Sequence, residues 1–277
     1  MVQHAVTMRN FRKSRAVGQF DTTAGFDSVD WKAVASTMHT FPQQFQLWIT
    51  KHVSFCNASK KLQVHLGRAD TNLCPICDSA VESSSHHVLC SDRDRTQIYN
   101  EDVDELLKWM RTTKSDPEFV HAFYTYLKER SSVPFGGTLE SDWGDMEDIA
   151  RQFKLIGFRN IMFGRLPNLL APLQTAHFRA LGMKRNGETW VKQLGGRLLQ
   201  LVHNQGIYRC AYTYHRAEDG LKNAERKELQ EEMLIHFNMG LDLLLDEDKF
   251  LLDNNWATLW KLNGAEKRAW LQAIKSA

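Results

Sequence analysis

Cys74, Cys77, His86 and Cys90 stand in the pattern Cys-x2-Cys-x8-His-x3-Cys, four soft or borderline ligands within seventeen residues. Such a set can close a tetrahedral zinc site. A Cys-x2-Cys turn aims two thiolates at one ion, and the N–H groups of the turn stabilise the sulfur charge. His86 and Cys90 are four residues apart, so on a short helix they share a face. His87 would point about 100° away on that helix, although an i, i+3 pairing of His87 with Cys90 is also geometrically open. With side chains filling all four positions, no place remains for an activated water, and the expected role of the zinc is structural. The bland readings are buried apolar thiols or disulfides of an oxidising compartment. Cys56 and Cys210 stand alone in helical contexts and read as core residues, while His52, His65, His177 and His203 read as packing or solvent-facing groups.

The elements that must carry this cluster are helical. Asp30 reads as an N-cap ahead of Trp31, Val34, Ala35 and Met38, and Pro42 opens a second helix with Phe45, Trp48, Ile49 and Val53 on one stripe. Helical spacing returns over Asp102–Arg111, after Pro117, and over Asp142–Arg165, Pro167–Leu181 and Glu188 to about Arg216. An acidic helix over about Leu221–Leu245 and a last one over Ala265–Ile274 follow. The expected fold class is therefore mainly α, a helical bundle with a small irregular zinc-knuckle insert. The stretch Ser131–Gly137, with Pro134 and two glycines, reads as the internal boundary. It separates a helical zinc-binding domain at 30–130 from a basic-then-acidic helical domain at 138–277, and residues 1–29 read as a flexible basic segment.

Charge is unevenly distributed. The 277 residues carry a net charge of only +2, yet no acid occurs from Trp31 to Ala69, and from Ile149 to Ala217 eleven Lys and Arg face the single acid Glu188. Basic stretches of this kind suit a polyanion, through Coulomb attraction and counterion release, or else pair with the acidic stretches at 101–148 and 218–253 inside the fold. The apolar content of 43% supports a folded core, and no apolar run approaches the ~20 residues of a bilayer span. The opening MVQHAVTMRNFRKSRAV lacks the apolar region and cleavage site of a secretory signal, so the expected location is intracellular, in nucleus or cytoplasm. No Gly-x-Ser-x-Gly, GxxxxGK[ST], GxGxxG or His-Glu-x-x-His occurs, and Gly195-Gly196 reads as a helix break or a close-packing site.

The segment from Asp30 to Cys90, including KHVSFCNASKKL and CPICDSAVESSSHHVLC, resembles the zinc-binding region that follows the polymerase domain in reverse transcriptases of non-LTR-type retroelements, in the form found in many microalgal open reading frames. Its pattern CPxC, Glu, three residues, His, three residues, Cys is met by Cys74, Pro75, Cys77, Glu82, His86 and Cys90. The run LIGFRNIMFGRLPNLLAPLQTAHF after Gln152, then Gly187-Glu-Thr-Trp190, is similar to the helical tail of those reading frames. The family's Trp and Arg-Asn pair near the end of that tail is matched only loosely, by Tyr208-Arg209-Cys210. No Tyr-x-Asp-Asp tetrad and no spaced acids for a nuclease centre are present.

The resemblance thus implies an accessory piece without the enzyme, so no catalytic activity is expected. The expected function is that of a zinc-binding module that binds RNA or DNA, with Lys51, Lys60, Lys61 and Arg68 meeting phosphates and Arg159, Arg165, Lys184 and Arg185 extending the surface. Phe158, Phe163 and Trp190 interleave with these cations at the spacing of core residues more than of stacking platforms. The competing expectation is a protein-interaction or scaffold unit whose basic face docks on an acidic partner such as a retroelement polymerase chain. Neither a membrane nor a small-molecule substrate is expected as a partner.

Overall fold

The computed structural model describes residues 19–137, 145–214, 223–240, 244–245, 247–252 and 255–277. It is mainly helical. Among these residues no strand forms, and extended pairing is confined to the isolated bridges Val29↔Pro167 and Leu73↔Val81. In chain order the first helices are α1 (Thr23–Asp27), α2 (Trp31–Met38), α3 (Gln43–Val53), α4 (Lys60–His65), α5 (His86–Leu89), α6 (Arg93–Thr112) and α7 (Pro117–Lys128). They are followed by α8 (Asp145–Ile156), α9 (Phe158–Met162), α10 (Leu170–Ala180), α11 (Gly187–Tyr214), α12 (Asn223–Asn238), α13 (Trp256–Lys261) and α14 (Gly264–Ser276). None is long and apolar enough to cross a membrane among the described residues.

Local chemistry explains many of the boundaries. The Asp30 carboxylate accepts from Ala33 N at 2.8 Å and starts α2, as its sequence position implies. Asp116 caps α7 through Glu118 N and Phe119 N, with Pro117 in the first turn. The single helix expected over Asp142–Arg165 begins, among described residues, at Asp145, and it breaks at Gly157. There φ is +79°, a value that glycine adopts without the steric cost other residues incur. Gly195 and Gly196, by contrast, lie inside α11 and serve close packing. A methyl group on Gly195 would sit 3.4 Å from Thr37 Oγ1, and one on Gly196 would sit 3.5 Å from the Phe41 ring.

The chain divides into two compact units, Met1–Gly206 and Ile207–Ala277. This differs from the boundary read at Ser131–Gly137, and the physical reason is Phe135. Its ring, 6% exposed, stacks on Phe153 of α8 at 4.0 Å and packs near Phe119 and Tyr126 of α7. The loop is therefore an inward-facing part of one core shared by helices on both sides of it. The same core takes in Phe20, Phe26 and Val29, so residues 19–29 are ordered where a flexible segment was expected. Residues 1–18 of that segment, and 138–144 at the start of the second expected domain, lie outside the described residues.

In the second unit, Leu229 and Met233 of α12 pack with Leu259 of α13 and with Trp270, Leu271 and Ile274 of α14. Asn263 and Glu266 form a capping box at the start of α14, and Trp270 Nε1 donates to Leu251 O at 2.9 Å. The acidic helix expected over Leu221–Leu245 is observed over Asn223–Asn238, and residues 221–222 and 241–243 lie outside the described set.

If Phe135 joins the two halves of the first unit, Phe135→Ala should destabilise it by about 3–5 kcal/mol, as for other buried Phe truncations. Urea denaturation of wild type and variant measures this, and an unchanged midpoint would mean the loop is only a connector.

Candidate metal centre

The four cysteine and histidine ligands converge. Their donor atoms all lie within 4.8 Å of one another, and the group can hold a metal ion. The turn that carries Cys74 and Cys77 is pinned from both sides. Cys74 N donates to Ala80 O at 2.8 Å, Asp78 N donates to Cys74 O at 2.9 Å, and Asp78 takes a left-handed φ of 50° to close it. His86 enters from a single helical turn, α5, whose start is fixed by His86 N donating to Ser83 Oγ at 3.2 Å. Cys90 follows immediately after α5 in an extended conformation, so the turn delivers both residues to one point although Cys90 itself is not helical.

Of the two adjacent histidines, His86 is the one grouped with the three cysteines. His86 Nε2 lies 3.5 Å from Cys77 Sγ. That is close to the edge of about 3.5–3.8 Å expected of a tetrahedron with ~2.0–2.3 Å bonds to nitrogen and sulfur. His87 is buried elsewhere, with Nε2 4.0 Å from Glu82 Oε1 and its ring 5.9 Å from that of His52. His52 stacks on Trp48, and burial, with His203 adding, pushes its pKa down to about 4.

Protonation within the cluster follows from crowding. A hydrogen bond to Cys90, together with burial, pushes the Cys74 thiol up to about 11. The Cys90 thiol moves down, chiefly through the same bond from Cys74 and to a smaller extent through the nearby charge of Arg95. The His86 pKa is raised, with the hydrogen bond to Cys74 as the leading cause. Without a metal the cluster thus holds the Cys74 proton, which a cation would displace.

The surrounding contacts tie the cluster to the helices. Glu82 is fully buried, and its Oε2 accepts from Lys60 N at 2.6 Å while its main-chain oxygen accepts from Lys61 N at 3.2 Å. α4 is therefore hung on the knuckle. Arg130, just after α7, donates from Nη1 to Cys90 O at 2.8 Å, and its guanidinium covers the Tyr99 ring. Arg95, also fully buried, donates to Gln205 Oε1 and to Gln205 O on α11. Sequence reasoning missed Arg95 and Arg130, since a lone arginine in an amphipathic helix or just past its end carries no mark of the contacts it makes.

The eight cations proposed for nucleic acid separate into groups. Lys51, Lys61 and Arg68 are exposed and Lys60 half-buried, all near the chain segment leading into the knuckle. Arg159 is half-buried and lines one cavity with Lys61. Lys184 and Arg185, both exposed, line a different one beside Trp109 and Trp190. Arg165 leaves the candidate surface. It is 6% exposed, and its guanidinium donates to Asn160 Oδ1 and Gln19 Oε1 and lies over the rings of Phe20, Trp31 and Phe163. Burial lowers its pKa to about 10. Phe163 and Trp190 are core residues, as their spacing implies. Cys56 and Cys210 are exposed and do not belong to the core.

Metal uptake should release protons, Cys74 foremost, so affinity should rise with pH between about 6 and 8. A competition titration with a chromophoric chelator at several pH values measures this, and a pH-independent affinity would contradict the Cys74 assignment. His86→Ala should lose the metal, whereas His87→Ala should keep it at reduced stability, because it opens a cavity between Glu82 and His52. No protein-family model, no curated protein and no solved structure matches the chain.

Proposed function

We propose that the chain is a zinc-binding, non-catalytic helical module that binds RNA or DNA. Zinc is the ion of choice for three thiolates and one imidazole in a closed tetrahedron, a donor set that leaves no coordination position open for substrate. The observation that carries the nucleic-acid reading is the attachment of α4 to the knuckle. Both oxygen-bearing groups of Glu82 accept from the first two amides of a helix that begins Lys60-Lys61. Metal binding then fixes the position of these cations, and the acid-free stretch from Trp31 to Ala69 places no carboxylate among them in sequence. The likeness of the Asp30–Cys90 segment to retroelement reverse transcriptases supports an accessory role beside a polymerase chain, within the cell.

The zinc-loaded chain should bind short RNA or DNA with an affinity that falls as salt rises. The combined change of Lys51, Lys60, Lys61 and Arg68 to Ala should flatten the log K against log salt slope by about 0.7 to 0.9 for each phosphate no longer neutralised, with zinc content unchanged. Chelation should weaken binding of the wild type. Fluorescence anisotropy at two salt concentrations measures all three, and flat titrations with both nucleic acids would favour the scaffold reading instead.

A further inference from the structure

An open groove of about 440 Å³ is formed by α6, α7 and the end of α10, and none of the eight cations considered for nucleic acid lines it. Leu107 and Val120, which pack into the core, form its floor, and Leu181, 52% exposed just past α10, forms one wall. Arg111 and Lys114 add two exposed cations, and no carboxylate is among the described residues lining it. The acids nearby in the chain are engaged. Asp104 accepts from the Tyr124 hydroxyl at 3.0 Å and pairs with Lys128 at 2.9 Å, while Asp116 caps α7 and places its Oδ2 3.3 Å from His177 Nδ1. Neither Arg111 nor Lys114 has an ion-pair partner among the described residues. Lys114 holds a left-handed φ of 58° in the turn that ends α6, where Ser115 N donates to Met110 O at 3.0 Å and Lys114 N donates to Arg111 O at 3.1 Å. Glycine fills that position without steric cost, so the backbone gives no reason for a lysine there.

We propose that this groove docks an acidic amphipathic helix of another protein, its apolar stripe lying on Leu107, Val120 and Leu181 and its flanking carboxylates meeting Arg111 and Lys114. An apolar floor with cations beside it matches a helix that carries apolar residues at i, i+3 or i+4 and i+7 next to Asp or Glu. Complementary charge selects the partner and speeds encounter, and covering Leu181 removes apolar surface from water. The volume falls in the range of small-ligand sites, which gives room for a few side chains of a helix and not for the face of a domain. A nucleic acid fits this groove less well. Among the described lining residues only Tyr124 offers a large ring, and with Lys128 5.4 Å over it and its hydroxyl given to Asp104 it is a poor platform for a base. Since the groove shares no residue with the basic surface assigned to RNA or DNA, either site can fail without the other.

The full zinc-loaded chain would be titrated by fluorescence anisotropy into three labelled eighteen-residue peptides. One carries Leu on a helical stripe and Glu elsewhere, the second has Lys for every Glu, and the third has the acidic composition in scrambled order. The acidic striped peptide should bind about tenfold more tightly than the other two, with an affinity that falls as salt rises. Arg111→Glu and Lys114→Glu should each weaken it by about five- to tenfold, and Leu181→Ser should weaken it at every salt concentration. All three positions are exposed, so melting temperature and zinc content should remain those of the wild type. Leu181→Ser should also leave the binding of a twelve-nucleotide oligothymidylate unchanged. Equal binding of the acidic and basic peptides, no binding of any peptide, or acidic-peptide binding indifferent to all three substitutions would overturn the proposal. Oligothymidylate that competes with the acidic peptide, and is itself weakened by Lys114→Glu, would give the groove to nucleic acid and overturn it as a protein site.

Discussion

Three thiolates held within a few ångströms repel one another, and water does not reach Cys74 or Cys90 to screen them. Either protons or a cation must occupy the cluster. With protons alone, Cys74 holds its own by bonding to Cys90; with a divalent cation, all three sulfurs are anionic and the centre carries one net negative charge. Buried Arg95 supplies a positive charge on the Cys90 side of that centre. A buried cation of this kind is costly without an anion nearby, so the charge state of the cluster and the burial of Arg95 support each other.

That electrostatic condition reaches far along the chain because each ligand sits at an element boundary. Cys90 ends the knuckle, and two residues later Asp92 caps α6 through Arg95 N at 2.9 Å. The Cys90 carbonyl receives Arg130 from the end of α7. Glu82, between the two pairs of ligands, receives the start of α4. Three helices thus meet a loop that has little apolar material of its own, and a metal held by the four side chains would take over there the part that a hydrophobic core plays elsewhere in the first unit. In that core, Phe119 and Phe153 each pack against Phe123, Phe135 and one another with ring centroids 4.0–6.4 Å apart, in stacked and tilted pairs.

The cluster was legible in the sequence because coordination chemistry restricts both residue type and spacing; the helical period pointed to His86 but left His87 open, and Cys90 proves to be extended and not part of the turn that carries His86. Helix content was legible for a similar reason, as caps such as Asp30 and Asp116 act within three residues. What the sequence could not carry was nonlocal. Pro134 and two glycines mark a loop, but nothing marks Phe135 as a plug for a core built from residues on either side. Gly157 sits in a run of helical periodicity, and only the backbone shows it at positive φ. Counting charges placed Arg165 on the basic face, since its acceptors, Gln19 and Asn160, are neutral amides that no charge pattern reveals.

The Arg165 site has a bearing on where this chain tolerates shortening. Gln19 gives its side-chain oxygen to Arg165, its main-chain oxygen to Asn160 and its side-chain nitrogen to Val53 O. One residue near the start of the described chain thereby stitches α3, α9 and the segment after α9. A proteolytic cut or a deletion that removes Gln19 would leave a guanidinium in an aromatic cage with one acceptor instead of two, and water has little access to replace the missing one. The place of Gln19 in the chain is thus tied to a buried charge more than a hundred residues downstream.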